Sequence, residues 1–221
     1  TVYLRLFALP NADQTLRLVR YFFTAAAPMP AEAAREWQKR FNRTIYEGYG
    51  LTETSPFASY NHDFVYRLGS VGTPIENVEM KIADEQGNEL PPGVVGEIAI
   101  KGPNVMQGYY NQPAESAEVM RDGWFLTGEI GKMDEDGYFY VVDRAKDMIN
   151  VSGFKVWPRE VDDVLIQHPG LREAAVVGVP DLASGEAVKA FVVVKESALV
   201  TEHELIEFCR SHIPVYKGPR Y

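Results

Sequence analysis

Cysteine, long apolar runs and positive charge are scarce in this chain of 221 residues. Its one cysteine, Cys209, excludes an internal disulfide and fits a reducing compartment, and no Cys/His cluster suggests structural zinc. No apolar run is long enough for a membrane span, and no signal-peptide pattern is present. Acids outnumber bases by 31 to 22, and the net charge of −9 opposes binding to nucleic acid or anionic membranes. We therefore expect a cytoplasmic protein with no transmembrane segment and no nucleic-acid partner.

The first part of the chain predicts an α/β unit. A hydrophobic content of 46% is typical of a globular protein with a buried core. We expect a strand at Tyr21 to Thr24, a helix at Ala31 to Asn42 and a strand at Arg43 to Tyr46. The helix would carry an apolar face, because Ala34, Trp37 and Phe41 recur at helical spacing. The following loops, at Ala25 to Pro30 and Gly48 to Ser55, would then emerge at one edge of a sheet, where open α/β folds commonly bind ligands.

The rest of the chain predicts a β-rich subdomain followed by a small α+β domain. Short strands between Gly and Pro turns indicate a small β-barrel or sandwich-like subdomain, and they lie at Val78 to Ala83, Val95 to Lys101 and Tyr138 to Val142. After Asp143, strands and helices alternate, as in a small α+β domain. Its expected elements are a strand near Met148 to Val151, a helix opened by Pro158, strands at Ala174 to Val179 and Ala187 to Val194, and a helix from Thr201. Thr201 and Glu204 have the spacing of a capping box at the start of this last helix. The predicted fold class is α/β followed by α+β.

The hexapeptide YGLTET, residues 49 to 54, is the first candidate ligand-binding motif. A tyrosine face can stack on a purine, a threonine hydroxyl can donate to a phosphate oxygen, and a carboxylate can ligate magnesium. A capped turn with a packed tyrosine is the simpler interpretation of the hexapeptide alone. Both interpretations stay open at this point.

Two later motifs also carry polar side chains at turns. WFLTGE ends in Glu129 after a Thr-Gly turn, and DRAKD places Arg144 one short hairpin later. The pair could hold the two hydroxyls of a ribose, or it could be a surface ion pair of little energetic value. In VSGFK, Gly153 would let a backbone approach a narrow ligand channel, or would simply form a turn.

The order of five motifs resembles the adenylate-forming superfamily of acyl-CoA synthetases, luciferases and adenylation domains. The motifs are YGLTET, a stretch from Gly96-Glu97-Ile98 to Gly108-Tyr109-Tyr110-Asn111-Gln112-Pro113, WFLTGE, DRAKDMI and VSGFKVWPREVD. The segments NVMQGY, IQHPG and SGEAVK look most like long-chain fatty acyl-CoA synthetases. The resemblance covers nearly the whole chain.

The resemblance implies an AMP-forming fatty acid–CoA ligase that uses ATP, Mg²⁺ and coenzyme A. A fatty acid would attack the α-phosphate of ATP, pyrophosphate would leave, and the acyl-adenylate would pass its acyl group to coenzyme A. The resemblance implies a role for each site residue. Ala25, Ala26, Ala27 and Pro28 would lie against adenine, with Tyr49 and Gly50 on its other side, while Thr52 would contact the α-phosphate and Glu53 would ligate magnesium. Glu129 and Arg144 would hold the ribose, Lys146 would be a hinge, and Ser152 and Gly153 would line the pantetheine path. Thr52 and Glu53 would be the catalytic pair.

The resemblance also implies a domain division. Residues 1–145 would be the end of a large AMP-binding domain, with a β-rich subdomain at about 68–145, and residues 146–221 would be a truncated, mobile C-terminal domain. The family's phosphate loop would lie before Thr1 and its adenylating lysine after Tyr221. We therefore expect this chain alone to be inactive.

Two features of the sequence depart from the family pattern. Glu129 stands where the family usually has aspartate, which puts its contact with both ribose hydroxyls in doubt. The TAAAP loop, at Thr24 to Pro28, replaces glycines that many members have, so its backbone would approach adenine less closely.

Three other functions stay open. The acid could be aromatic, the acceptor could be a carrier-protein thiol, or the chain could be a non-catalytic nucleotide-binding or interaction module. A homodimer and a peripheral membrane contact are also open, and the acyl chain length cannot be derived from these residues.

Overall fold

The computed structural model describes every residue except Thr1, Ala8, Pro28, Ser197 and Tyr221, and it leaves the side chain of Leu4 undescribed. The chain forms two compact units. The first unit is Thr1–Thr127 with Gly131–Val141, and the second is Gly128–Ile130 with Val142–Tyr221.

The first unit begins with a mixed sheet and helices. Its elements are α1 (Val2–Phe7), α2 (Ala12–Leu16), β1 (Phe22–Thr24), α3 (Ala31–Phe41), β2 (Ile45–Tyr49), a 3₁₀ turn (Thr52–Thr54), β3 (Ser59–Tyr60) and β4 (Thr73–Pro74). The sheet order is β1-β2-β3-β4, with β1 and β2 parallel. The predicted strand, helix, strand arrangement is confirmed.

The end of β2 differs from the prediction. We expected the strand to end at Tyr46, with a loop from Gly48, but it continues to Tyr49. The reason is tertiary pairing, because Gly48 lies opposite Tyr60 and Tyr49 opposite Ser59 in the antiparallel β2–β3 pair. Local propensity does not reveal such a partner.

Helix α3 shows how the local sequence sets its bounds. Trp37 is fully buried and Ala34 nearly so, which places the predicted apolar face against the core. The helix ends at Asn42, which has left-handed backbone angles and donates its N–H to the carbonyl of Gln38.

The β-rich part of the first unit continues into strands shared with the second. Its elements are β5 (Glu79–Ala83), β6 (Gly96–Lys101), α4 (Pro113–Val119), β7 (Met120–Arg121), β8 (Trp124–Met133) and β9 (Phe139–Arg144). They form one five-stranded sheet, in the order β5-β6-β8-β7 with β9 also on β8, that curls into a half-barrel. Ile82, Ile98, Ile100 and Phe139 fill its core.

The second unit is a small α+β fold. Its further elements are a 3₁₀ turn (Ala145–Asp147), β10 (Ile149–Val151), β11 (Phe154–Val156), α5 (Pro158–Leu165), β12 (Leu171–Asp181), β13 (Gly185–Val194), α6 (Glu202–His212) and a 3₁₀ turn (Val215–Lys217). The sheet order is β11-β10-β13-β12.

The core of the second unit lies between its sheet and its two helices. Val161 and Leu165 of α5 and Leu205 and Cys209 of α6 belong to one buried cluster with strand residues such as Val188. The predicted α6 cap is confirmed, since the Thr201 hydroxyl accepts the N–H of Glu204 at 3.2 Å. Over the part of the chain that the structure describes, no helix has the length and apolarity of a membrane span.

Candidate functional site

The loops after β1 and β2 leave the same edge of the first sheet. The two strands run parallel, with Thr24 opposite Glu47, so the segments that follow them start side by side. Ala25 is half-buried, and Ala26 and Ala27 are exposed. Pro28, the fourth residue predicted in this loop, lies outside the described residues.

One of the loop alanines has a backbone conformation that favours glycine. Ala26 has φ of +69°. An L side chain in this left-handed region is in steric conflict with its own backbone. The TAAAP departure from the family pattern therefore falls on a position where glycine would be less strained.

A buried carboxylate fixes the far end of this loop. Glu47 on β2 is 5% exposed, and its Oε2 accepts the N–H of Met29 at 3.1 Å. Burial raises the pKa of Tyr66 to about 12, and the charges of Glu47 and Tyr46 act in the same direction. The sequence analysis missed Glu47, although an acid within a strand of otherwise inward-facing residues is a recognisable signal.

Two residues of YGLTET build the turn itself. A Cβ on Gly50 would lie 1.8 Å from the carbonyl oxygen of Pro56, so this position needs glycine for a close backbone approach. Thr54 is fully buried, and its hydroxyl accepts the N–H of Leu51 at 2.9 Å and lies 3.0 Å from the Leu51 carbonyl. The turn leaves Thr52 exposed and Glu53 half-buried. The capped turn is thus real, and it presents the two residues predicted to bind ligands.

Tyr49, the predicted adenine-stacking residue, lies in the apolar core of the first unit. Its side chain is 6% exposed and packs in the cluster that contains Ala58, Val71 and Ile98. Little of the ring is accessible, so purine stacking stays a prediction.

The carboxylate of Glu53 is held by a segment that precedes α4. The Tyr109 hydroxyl donates to Glu53 Oε1 at 3.0 Å, and the Met106 N–H donates to the Glu53 carbonyl at 2.8 Å. Asn104 Nδ2 donates to the carbonyls of Thr54 and Phe57 at 2.9 and 2.7 Å. Burial and the Glu53 carboxylate raise the pKa of Tyr109. The predictions gave these three contacting residues no role.

The surroundings of Glu53 fit a magnesium–nucleotide complex. Among the described residues there is no group of three or more His, Cys, Asp or Glu side chains that could hold a metal. Mg²⁺ in nucleotide sites commonly uses one or two carboxylates and completes its shell with phosphates and water. Glu53 can supply one such ligand, since of its two carboxylate oxygens only Oε1 has a hydrogen-bond partner in the described part of the chain.

In the second unit the structure brings Glu129 and Arg144 together. Arg144 Nε lies 4.0 Å from Glu129 Oε1, and the two side chains are 60% and 19% exposed. The predicted Thr-Gly turn before Glu129 is wrong, because the motif lies inside strand β8. Gly128 has φ of +69° and lies within that strand, which runs from Trp124 to Met133.

Asp143, which the sequence-based predictions gave no role, holds the connection after Arg144. Asp143 Oδ1 accepts the N–H of Arg144 at 2.8 Å, and its Oδ2 accepts the N–H of Arg159 at 3.0 Å. Asp143 thereby links the end of β9 to the first turn of α5. Lys146 lies in the following 3₁₀ turn and is exposed.

Ser152 and Gly153 form the turn of the β10–β11 hairpin. Both have positive φ, +53° and +88°, as a two-residue type I′ turn requires. The Gly153 N–H donates to Asn150 Oδ1 at 2.9 Å, and the Asn150 N–H donates to Glu186 Oε2 at 2.7 Å. A hairpin turn is therefore enough to explain the backbone conformation of Ser152 and Gly153. Their role along the pantetheine path stays a prediction.

Comparison with known proteins identifies the family. The sequence profile of the AMP-binding enzyme matches residues 1–110, and that of the AMP-binding enzyme C-terminal domain matches residues 160–221. The chain belongs to the AMP-binding enzyme family.

Individual relatives are more specific. The long-chain-fatty-acid–CoA ligase of Salmonella typhimurium is 48% identical over 210 residues, which is 94% of this chain and 37% of that protein. The long-chain-fatty-acid–CoA ligase of Bacillus subtilis is 41% identical over 225 residues, 100% of this chain and 40% of that protein. The crystal structure of ATP-bound MatB from Rhodopseudomonas palustris has a TM-score of 0.95 at 36% identity, over 99% of this chain and 44% of that chain. The chain spans less than half of each.

Proposed function

We propose that the full-length protein is a long-chain fatty acid–CoA ligase. It would join a fatty acid to AMP at the expense of ATP and then transfer the acyl group to the thiol of coenzyme A. The observation that carries this proposal is the 48% identity to a long-chain-fatty-acid–CoA ligase across nearly the whole chain. The turn that presents Thr52 and Glu53 supports it chemically.

The first unit would bind the phosphates and the adenine. Glu53 would ligate Mg²⁺ and Thr52 would donate to the α-phosphate, while Ala25 to Pro28, Tyr49 and Gly50 would flank the base. Bound Mg²⁺ would neutralise phosphate charge as pyrophosphate leaves. The chain's own contribution is positioning, since a fixed turn holds both polar groups before the reaction begins.

The second unit would contribute to both half-reactions. Glu129 would accept from the ribose hydroxyls and Arg144 would donate to them. Lys146 would be the hinge between the two arrangements of the C-terminal domain, and the hairpin turn at Ser152 and Gly153 would line the path of the pantetheine arm.

The test is substrate-dependent exchange of pyrophosphate into ATP by the full-length protein. A panel would contain palmitate, shorter fatty acids, an aromatic acid and a dicarboxylic acid, and thioester formation would be followed with coenzyme A and with a carrier-protein thiol. We expect exchange with long-chain fatty acids and transfer to coenzyme A. Exchange driven best by an aromatic acid would contradict the fatty-acid assignment, and no exchange with any acid would favour a non-catalytic module.

We also propose a cytoplasmic location, because ATP and coenzyme A are supplied there and a free thiol such as Cys209 suits a reducing compartment. A homodimer and a peripheral membrane contact are separate proposals. Light scattering and vesicle flotation of the full-length protein would test them.

A further inference from the structure

Tyr109 contacts the candidate metal ligand from a distant part of the chain. Its hydroxyl donates to Glu53 Oε1 at 3.0 Å across 56 positions of sequence. Tyr109 lies in the connection between β6 and α4, whereas Glu53 lies in the 3₁₀ turn after β2. The contact therefore joins two elements that lie far apart in the sequence.

The position of Tyr109 is itself fixed. Its N–H donates to Ser116 Oγ on α4 at 2.8 Å, and that hydroxyl donates to the carbonyl of Gln112 at 2.7 Å. A Cβ on the preceding residue, Gly108, would lie 2.9 Å from Ser116 Oγ, so the backbone here runs close against α4. A hydroxyl on such a support can hold a carboxylate in one orientation.

The fold of the Glu53 turn does not depend on the Tyr109 hydroxyl. Asn104 and Met106 hold the backbone carbonyls of the turn, and Thr54 closes it from within. The Tyr109 hydroxyl is the one described contact to the Glu53 carboxylate. Removing that hydroxyl should change the orientation of the acid and leave the turn folded.

We propose that Tyr109 is a positioning residue for Glu53. By binding Oε1 it holds the carboxylate in one orientation, and Oε2 would then be available to ligate a magnesium ion. A hydrogen bond to one carboxylate oxygen fixes the plane of the group, and such outer partners of metal ligands typically alter metal affinity or activity by 10–100-fold when they are removed. This inference rests on the proposed function, in which Glu53 is the metal ligand.

The test compares Tyr109→Phe with Tyr110→Phe in the full-length protein. The adjacent Tyr110 is 89% exposed, so it controls for loss of a hydroxyl from the same segment. Mn²⁺ binding in the presence of ATP would be measured by the electron paramagnetic resonance of free Mn²⁺, which needs no turnover. The Mg²⁺ dependence of pyrophosphate exchange would be measured alongside it.

For Tyr109→Phe we expect about 10-fold weaker Mn²⁺ binding and an equal rise in the Mg²⁺ concentration that gives half-maximal exchange. Tyr110→Phe should change neither quantity, and both variants should keep the thermal midpoint of the parent. Unchanged metal affinity in Tyr109→Phe would overturn the inference.

Glu53→Gln separates this inference from the proposed function. Weaker metal binding in Glu53→Gln with none in Tyr109→Phe would leave the metal role of Glu53 intact and remove only the role of Tyr109. No loss in Glu53→Gln would contradict the metal assignment and the inference with it. If Tyr109 acts through Glu53, the double variant should bind Mn²⁺ no more weakly than Glu53→Gln alone.

Discussion

At the scale of single residues, the motif positions divide into those that shape the backbone and those that face outward. Gly50 and Thr54 make the YGLTET turn, through a close approach and a buried hydroxyl respectively. The side chains of Thr52 and Glu53, which lie between these two residues, are exposed and half-buried respectively. A family motif of adjacent letters thus combines two physical functions, and substitutions at neighbouring positions should have different consequences.

Ala26→Gly should stabilise the first unit by up to about 1 kcal/mol, because glycine relieves a left-handed alanine and that relief exceeds the added freedom of the unfolded chain. Ala27 is the matched control, since its φ is outside the positive range. Ala27→Gly should cost about 0.4–1 kcal/mol. Urea unfolding of both variants measures the difference, and equal effects at the two positions would exclude strain at Ala26.

Glu129→Gln in the full-length protein should weaken nucleotide binding by about 1.5–3 kcal/mol, the value of a hydrogen bond to a charged group. Its effect on stability should be small, because the partner Arg144 is exposed and the ion pair is long. Calorimetric titration with ATP measures the affinity. Unchanged affinity would mean that the side chain does not reach the ribose, and Glu129→Asp then tests whether the shorter acid does better.

At the scale of elements, helix α5 carries a carboxyl group in an unfavourable place. Asp162 Oδ1 is buried with no hydrogen-bond partner among the described residues. Burial raises the pKa of Asp162 to about 6, and the charges of Asp163 and Asp143 act in the same direction, whereas a backbone hydrogen bond from Val176 and the charge of Arg159 oppose them. Folding therefore favours the neutral acid, which predominates in the folded helix below about pH 6.

This predicts a pH-dependent stability. The ordinary pKa is 3.8, so the folded state binds more protons than the unfolded state between about pH 4 and 6, and stability falls as the pH rises through that window. Asp162→Asn should raise the thermal midpoint at pH 8 and leave it nearly unchanged at pH 4. Asp163→Asn should give a gain of the same sign, because burial also raises the pKa of Asp163 and its charge raises the pKa of Asp162. A gain from Asp162→Asn of equal size at both pH values would rule out this titration.

The sequence predicted the elements whose signals are local. The α3 face, the Thr201 cap and the Pro158 start of α5 follow from helical spacing and end preferences, and each was confirmed. Strand β8 was missed because the Thr-Gly pair that ends in Gly128 is typical of a turn. In the structure Gly128 lies within β8, which pairs with β6, β7 and β9.

Prediction of the candidate site was also limited to features that depend on local sequence. The outward residues of each motif could be named from the resemblance, but their supports could not. Glu47, Tyr109 and Glu186 contact partners 18 to 56 positions away. Which distant side chain meets a motif is a property of the folded packing, and one sequence does not contain that pairing in any local pattern.

At the scale of the whole molecule, the two units must act in turn in the proposed reaction. Lys146 lies in the 3₁₀ turn between β9 and β10, just inside the second unit. Hinges are a few residues at element ends that absorb large changes in φ and ψ. The position and the match to the family's hinge motivate its assignment.

Lys146→Pro should therefore affect the two half-reactions of the full-length protein unequally. Proline fixes φ and removes an amide donor, so it should trap one arrangement without preventing folding. We expect adenylation to be retained and thioester formation to slow about 100-fold, the cost of misplacing reacting groups by about 1 Å. Rapid-quench measurement of each step tests this. Lys146→Ala removes the charge and keeps the backbone free, so it should slow neither step, and equal slowing of both steps by proline would show an ordinary linker.

The long-range hydrogen bonds to the Glu53 turn also have a consequence for folding during synthesis on the ribosome. Asn104, which holds the turn, and Tyr109, which contacts its acid, follow their partners Thr54 and Glu53 by 50 and 56 positions. Contacts at such separation form only after the intervening chain has been closed into a loop. During synthesis, a nascent chain that ends before Tyr109 has emerged contains the complete YGLTET motif but lacks the hydroxyl that contacts its acid. The ability to bind a metal–nucleotide at Glu53 should therefore arise during elongation at the half-barrel, well after the motif itself has left the ribosome.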